Sequence, residues 1–207
     1  MGEPEEIAAT HRATYDAAAA RYAVVNAQMP VAVQASARRL LETVGTPALI
    51  LELGCGHGRD AAWFEAHGAD VVAADLSAGM LAETRLRVAG PVVQVDMRGP
   101  AFRGTVFDGV WSNAAMLHLQ KTSVPGALAE VRRILKPGGV FFVSIQVGAG
   151  ETWEAVSYGR PGARLFSRYA PAEFGALIEV AGMQLLEVEE SFGGPRRHWA
   201  HYLARRV

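Results

Sequence analysis

The side chains able to do chemistry in this chain are a sparse set of acids and one histidine, each placed just after an apolar run. Glu52 stands two residues before Gly54, and Gly56 and Gly58 follow on alternate positions. Glycines so spaced let the backbone turn sharply and leave room where side chains would stand. A carboxylate at position 52 is a poor neighbour for a pyrophosphate but suits a ligand carrying positive charge. Asp75 comes 21 residues after Gly54, close to the ~20 at which a carboxylate reaches a ribose hydroxyl pair. Asp96 ends a later apolar run, where it can accept an exocyclic amine while Met97 packs on a ring. His118 is the candidate base, because an unperturbed imidazole titrates near neutrality. Each has a plainer alternative: a helix-capping Asp75 beside Ser77, a solvated turn for Asp96, a histidine that closes a loop.

Positioning these groups needs strands that end at the acids. Leu49, Ile50, Leu51 and Leu53 form a run of the right length for a buried parallel strand. A helix from about Arg59 to His67 follows the glycine-rich turn, and Gly68 closes it. Further strands are expected at 71–74, 92–95, 106–111 and 140–145, with helices at 78–88 and 123–135. Strand, glycine-rich turn and helix open a doubly wound α/β domain that binds a nucleotide-like ligand. Upstream, apolar spacing predicts a helix over 4–25 with Ile7, His11, Tyr15, Ala18, Tyr22 and Val25 on one face, and a second from Pro30 to Val44. These helices either cap the site or only cover one face of the sheet. Residues 147–168 read as a long irregular loop, of a length that is usually functional or mobile. A helix begins at Pro171, although Ala170 stands where a Ser or Thr cap is usual. Strands at 184–190 and 198–205, joined by Gly193-Gly194-Pro195, should pair as an antiparallel hairpin.

Composition narrows the class. The 207 residues are half apolar and one-fifth charged, with a formal net charge of −1, which speaks against a nucleic-acid partner. A lone cysteine, Cys55, excludes an internal disulfide and fits a reducing, cytoplasmic setting. The first ten residues carry no apolar signal core. No run of about twenty apolar residues suggests a membrane span.

The pattern Glu52-x-Gly54-x-Gly56-x-Gly58 resembles motif I of the class I S-adenosylmethionine (SAM) methyltransferases. Val71 to Ser77, Val92 to Met97, Phe107 to Asn113 and Leu135 to Val140 resemble later motifs of that family, in order. The resemblance covers about residues 48 to 146. It implies a Rossmann-like sheet of seven strands in the order 3-2-1-4-5-7-6, with strand 7 antiparallel. The implied division is a helical cap over 1–45, a SAM-binding core over 46–146, and a substrate loop with hairpin over 147–207, all in one methyltransferase domain. It places SAM, or S-adenosylhomocysteine as product, against the turn residues Glu52, Gly54, Cys55, Gly56, Gly58, Arg59 and Asp60. Asp75, Leu76 and Met80 would follow at the ribose, Asp96 and Met97 at the adenine, Ser112 and Asn113 after the fourth strand. Tyr15 and Tyr22 resemble a segment that closes over the methionine moiety.

The implied reaction is in-line transfer of a methyl group to N, O, S or C of a small molecule, with alignment as the enzyme's main contribution. Arg59 at the third position of the dinucleotide fingerprint argues against the NAD-dependent rival. A non-catalytic SAM-binding subunit that regulates a partner is the alternative from another class. The remaining groups take plain roles: Cys55 a filler, His57 an exposed loop side chain, His198 and His201 edge-strand residues. No metal-ligand cluster emerges. Arg160, Arg164, Arg168, Arg196 and Arg197 could read an anionic acceptor. Trp153, Tyr158, Phe166 and Tyr169 could line an aromatic pocket.

Overall fold

The computed structural model describes residues 3–158, 160–193 and 197–207. The apolar runs form the strands expected of them. β1 (Leu49–Leu53), β2 (Asp70–Asp75), β3 (Val92–Gln94), β4 (Phe107–Asn113) and β5 (Leu135–Gln146) pair in parallel. β8 (Met183–Phe192) and β9 (His198–Arg206) form the expected hairpin, and β9 inserts antiparallel between β5 and β8. The sheet order is β3-β2-β1-β4-β5-β9-β8. That is the implied order, with β8 and β9 as its sixth and seventh strands.

Helices cover both faces. α2 (Val31–Val44) and α3 (Arg59–Ala66) lie on one side, where Leu40, Phe64, Trp111 and Phe142 pack. α5 (Val124–Ile134) and α6 (Pro171–Val180) lie on the other, against Phe141, Phe174 and Tyr202. Trp111 and Phe142 are fully buried and stack at 3.8 Å between centroids. Burial of each such ring contributes roughly 2–3 kcal/mol. α4 (Ala78–Thr84) is shorter than the sequence indicates. At α6 the hydroxyl cap is absent, and Glu173 supplies the reciprocal bond of a capping box: its carboxylate accepts the Ala170 N–H at 3.2 Å.

Two expectations are corrected. Val25 is 55 % exposed instead of completing the buried face of α1 (Pro4–Val25). Residues 147–168 are not an irregular loop; β6 (Glu151–Ser157) and β7 (Arg160–Ser167) form a separate antiparallel hairpin. The glycines at 148, 150 and 162 conceal these strands in the sequence. At Gly162 a Cβ would come within 2.6 Å of Thr14, so this glycine permits close packing on α1. Thr14 Oγ1 donates to the Ala163 C=O and accepts its N–H, at 3.1 and 3.2 Å. α1 is thus clasped between β7 and α4, where Asp16 accepts from the Ser77 hydroxyl and the Gly79 N–H. α2 packs on one face of the sheet through Val33, Ala37, Leu40 and Leu41. Among the described residues no helix is long and apolar enough to cross a membrane. Gly194 and Pro195 of the expected Gly193-Gly194-Pro195 turn, together with Arg196 and Gly159, lie outside the described residues.

Candidate functional site

A cavity of about 440 Å³ runs along the carboxyl ends of β1, β2 and β4, beneath α1. This is where open α/β sheets hold their ligands. The turn after β1 makes it possible. Gly54, Gly56 and Gly58 adopt φ of 85°, 55° and 80°, in the left-handed region that disfavours side chains. A Cβ on Gly54 would stand 2.3 Å from that of Ala115. On Gly56 it would meet only the Tyr22 ring, at 3.6 Å, at the cavity wall.

Asp75 is tied to this turn. Its two oxygens accept the Gly56 and Ser77 N–H groups at 2.8 and 2.9 Å, and the Ser77 hydroxyl accepts the Met80 N–H. Asp75 therefore supports the start of α4 and lines the cavity as well. Burial pushes its pKa up to about 6, against those backbone donors.

Glu52 is buried, and one of its carboxylate oxygens has no hydrogen-bond partner among the described residues. Burial, followed by the neighbouring Asp60 charge, raises its pKa well above the carboxylate range. A buried, half-satisfied carboxylate is costly unless a cation or donor reaches it. Asp60 is already committed. It pairs with Arg59 at 2.6 Å and accepts from Trp111 Nε1 at 3.0 Å and Asn113 Nδ2 at 2.9 Å. The Ser144 hydroxyl then donates to Asn113 Oδ1 at 2.7 Å and accepts the Ala114 N–H. This network fixes the loop after β4. Sequence reasoning missed Ser144 and Trp111, because nothing local marks a contact made across strands.

Asp96 and Met97 line the far end of the cavity, with Leu76 and Met80 between. Burial would raise the Asp96 pKa, but hydrogen bonds and charge from Arg98 outweigh it and lower it. Tyr15, Tyr22, Cys55, Arg59 and Asp60 also line the cavity. Gly58 and Ser112 are not among its described lining. Gly58 faces Thr84, and the Ser112 hydroxyl donates to the Leu53 C=O at 3.0 Å, behind the wall.

Of three histidines beside the cavity, His57 is more buried than its sequence context indicates, and His11 lies on the buried face of α1 as expected. His57 is 3 % exposed under the Tyr22 ring, not an open loop side chain. His11 Nε2 accepts the Leu165 N–H at 2.8 Å. His118 Nδ1 donates to the Leu165 C=O at 2.8 Å, which leaves Nε2 to accept from the Tyr15 hydroxyl at 2.7 Å. The nitrogen that would take a proton from a substrate is thus already occupied. Burial lowers the pKa of all three, seconded by Arg164 at His11, Arg59 at His57 and His11 at His118, to about 4, 4 and 3.

The sign of the pH effect follows. Unfolded histidines bind protons below about pH 6.5, whereas these three stay neutral in the fold, so their contribution is present above 6.5 and is lost as pH falls toward 4. Asp75 and Glu52, with their raised pKa values, oppose this in part. The urea-unfolding free energy at pH 5 should lie below that at pH 7.5, by about 1 kcal/mol once the opposing carboxylates are included. A value independent of pH over this interval would contradict the neutral-histidine assignment.

Of the arginines considered for anion recognition, Arg164 and Arg168 face Glu154 at 4.0 and 2.6 Å. Arg197 stands at the cavity mouth. Arg196 and the Arg160 side chain lie outside the described residues. Of the aromatics, none of Trp153, Tyr158, Phe166 and Tyr169 is among the described lining. Among the described residues no group of three or more His, Cys, Asp and Glu side chains could hold a metal ion.

Residues 51–143 match the family described as methyltransferase domain. The malonyl-[acyl-carrier protein] O-methyltransferase of Enterobacter lignolyticus is 35% identical over 129 residues, covering 59% of this chain and 51% of that protein. Methyltransferase GfsG of Streptomyces halstedii is 28% identical over 153 residues, covering 68% of this chain and 54% of that protein. The chain spans about half the length of these curated relatives. The crystal structure of Burkholderia thailandensis 1,6-didemethyltoxoflavin-N1-methyltransferase superposes with a TM-score of 0.82 at 22% identity, covering 100% of this chain and 92% of that one. It shares the fold. The glycine-rich turn and the strand-end acids Asp75 and Asp96 lie within the matched span, so residues 51–143 are similar to the methyltransferase-domain family.

Proposed function

We propose that this protein is a SAM-dependent methyltransferase acting on a small molecule. The observation that carries the reading is the buried Glu52, which has one unpartnered oxygen and lines one cavity with Asp75 and Asp96. An acidic cradle of this kind fits a cofactor with an amine, a ribose diol and a sulfonium charge, and the room at Gly56 lets backbone approach it. Glu52 would face the methionine half, Asp75 the ribose, and Asp96 with Met97 the adenine. The relatives, which are methyltransferases by name, and the S-adenosylhomocysteine bound to the Burkholderia protein support that choice.

When bound, SAM supplies an electrophilic methyl group. The chain's contribution is position and dryness. α1 roofs the cavity and the β6–β7 hairpin braces α1 from behind, and the Asp60–Asn113–Ser144 network holds the loop where an acceptor would meet the methyl. His118 has two available roles. As a base it would require Tyr15 to release Nε2; as a clasp it holds Tyr15 and β7 over the cofactor. We favour the clasp, because both ring nitrogens are engaged. His118→Ala should then weaken S-adenosylhomocysteine binding about tenfold, as two hydrogen bonds to the roof are lost. Unchanged binding with methyl transfer reduced at least about a hundredfold would instead establish His118 as the base.

A further inference from the structure

The residues assigned to the cofactor leave part of the cavity lining unused. One such stretch, a lobe between the start of α2 and the β8–β9 hairpin, includes Val33, Ser144, Ser191, Phe192, Trp199 and His201. None of these belongs to the glycine-rich turn or to the strand-end acids. The lobe adjoins the place where methyl transfer would occur. His201 is the register partner of Ser144, and the Ser144 hydroxyl holds Asn113 at the end of β4.

The chemistry of this lobe is specific. His201 is 7 % exposed; its Nε2 pairs with the Ser191 hydroxyl at 2.7 Å, and its Nδ1 has no hydrogen-bond partner among the described residues. Burial lowers its pKa, so the ring is neutral near pH 7. Trp199 and Phe192 add aromatic surface toward the mouth, and Phe192 is 75 % exposed. The two inner cations of the cavity, Arg59 and Arg98, are paired with Asp60 and Asp96. The lining described between α2 and the hairpin therefore holds no charge except Arg197, which is exposed at the mouth. A buried polar nitrogen beside aromatic walls favours a ligand that is largely apolar and carries one hydrogen-bonding group. A hydroxyl can donate or accept, so it satisfies Nδ1 in either tautomer.

We propose that this lobe is the acceptor subsite, and that it takes an uncharged aromatic or heteroaromatic molecule whose hydroxyl pairs with His201. The assignment rests on the methyltransferase reading for its role, but not for its ligand chemistry. His201 is thereby a positioning and specificity-determining residue.

The test is calorimetric titration with 2-naphthol and with 2-naphthoate, matched in shape and different in charge, with and without saturating S-adenosylhomocysteine. The expected result is binding of 2-naphthol at least tenfold tighter than 2-naphthoate. Trp199→Ala and His201→Phe should each weaken it about tenfold while S-adenosylhomocysteine affinity stays within twofold, which also reports an intact fold. Should either variant lose the cofactor product as well, Phe192→Ala decides, since its side chain is mostly in solvent; the proposal expects a three- to fivefold loss. Equal or tighter binding of 2-naphthoate, no binding of 2-naphthol, or 2-naphthol affinity unmoved by the folded variants would overturn the proposal. If 2-naphthol binds as expected but S-adenosylhomocysteine does not, the subsite stands and the cofactor assignment fails.

Discussion

Asp75→Asn should weaken S-adenosylhomocysteine binding by about a hundredfold, the loss of roughly 3 kcal/mol that follows when charge-assisted hydrogen bonds disappear. The carboxylate does two jobs at one place. Its oxygens receive the Gly56 and Ser77 N–H groups, and under the proposed assignment the same group receives the ribose hydroxyls. An amide keeps the size but turns one acceptor into a donor, which would face a backbone N–H. The thermal midpoint should move little, because the substitution also removes a buried charge, whose desolvation already pushes the Asp75 pKa up to about 6. Calorimetric titration of the variant gives the affinity, and a melting curve gives the control. An affinity within threefold of the parent would show that Asp75 only braces the turn.

Gly54→Ala should unfold the site by a different route, with a loss of about 3 kcal/mol in stability from steric overlap and backbone strain together. A methyl group there would lie 2.3 Å from the Ala115 Cβ, and the φ of 85° is unfavourable for any side chain. Neither the turn nor the loop after β4 can yield without moving Ala115, which follows Asn113 and Ala114 in the Asp60 network. Urea denaturation measures the effect. Gly99→Ala serves as the reference, since a Cβ there meets nothing within 4 Å. Equal stability of the two variants would remove the steric argument.

These two residues also show what a sequence can disclose. The positions of Gly54 and Asp75 are legible because they depend on local spacing: an apolar run, a turn, and a second run that ends in an acid. The β8–β9 hairpin is legible for the same reason, since two strands so close in sequence have few other partners. The β6–β7 hairpin is not. Its glycines read as breaks, and the Thr14–Ala163 contact joins residues 149 apart. His57 is buried by Tyr22 of α1, and Asp96 is claimed by Arg98, whose geometry spacing does not reveal. Ser112 fits the motif but turns its hydroxyl to the Leu53 backbone. His118 looks available along the chain, and Tyr15, 103 residues away, takes its Nε2. In each case the deciding partner comes from another element, so only the fold supplies it.

The central claim is that the cavity is built for SAM and not for a dinucleotide. Calorimetric titration of the purified protein with S-adenosylhomocysteine, with NAD as the control ligand, tests it most directly. The account predicts micromolar binding of S-adenosylhomocysteine, weakened by Asp75→Asn, and no measurable heat with NAD. Tight NAD binding, or no binding of S-adenosylhomocysteine, would contradict it.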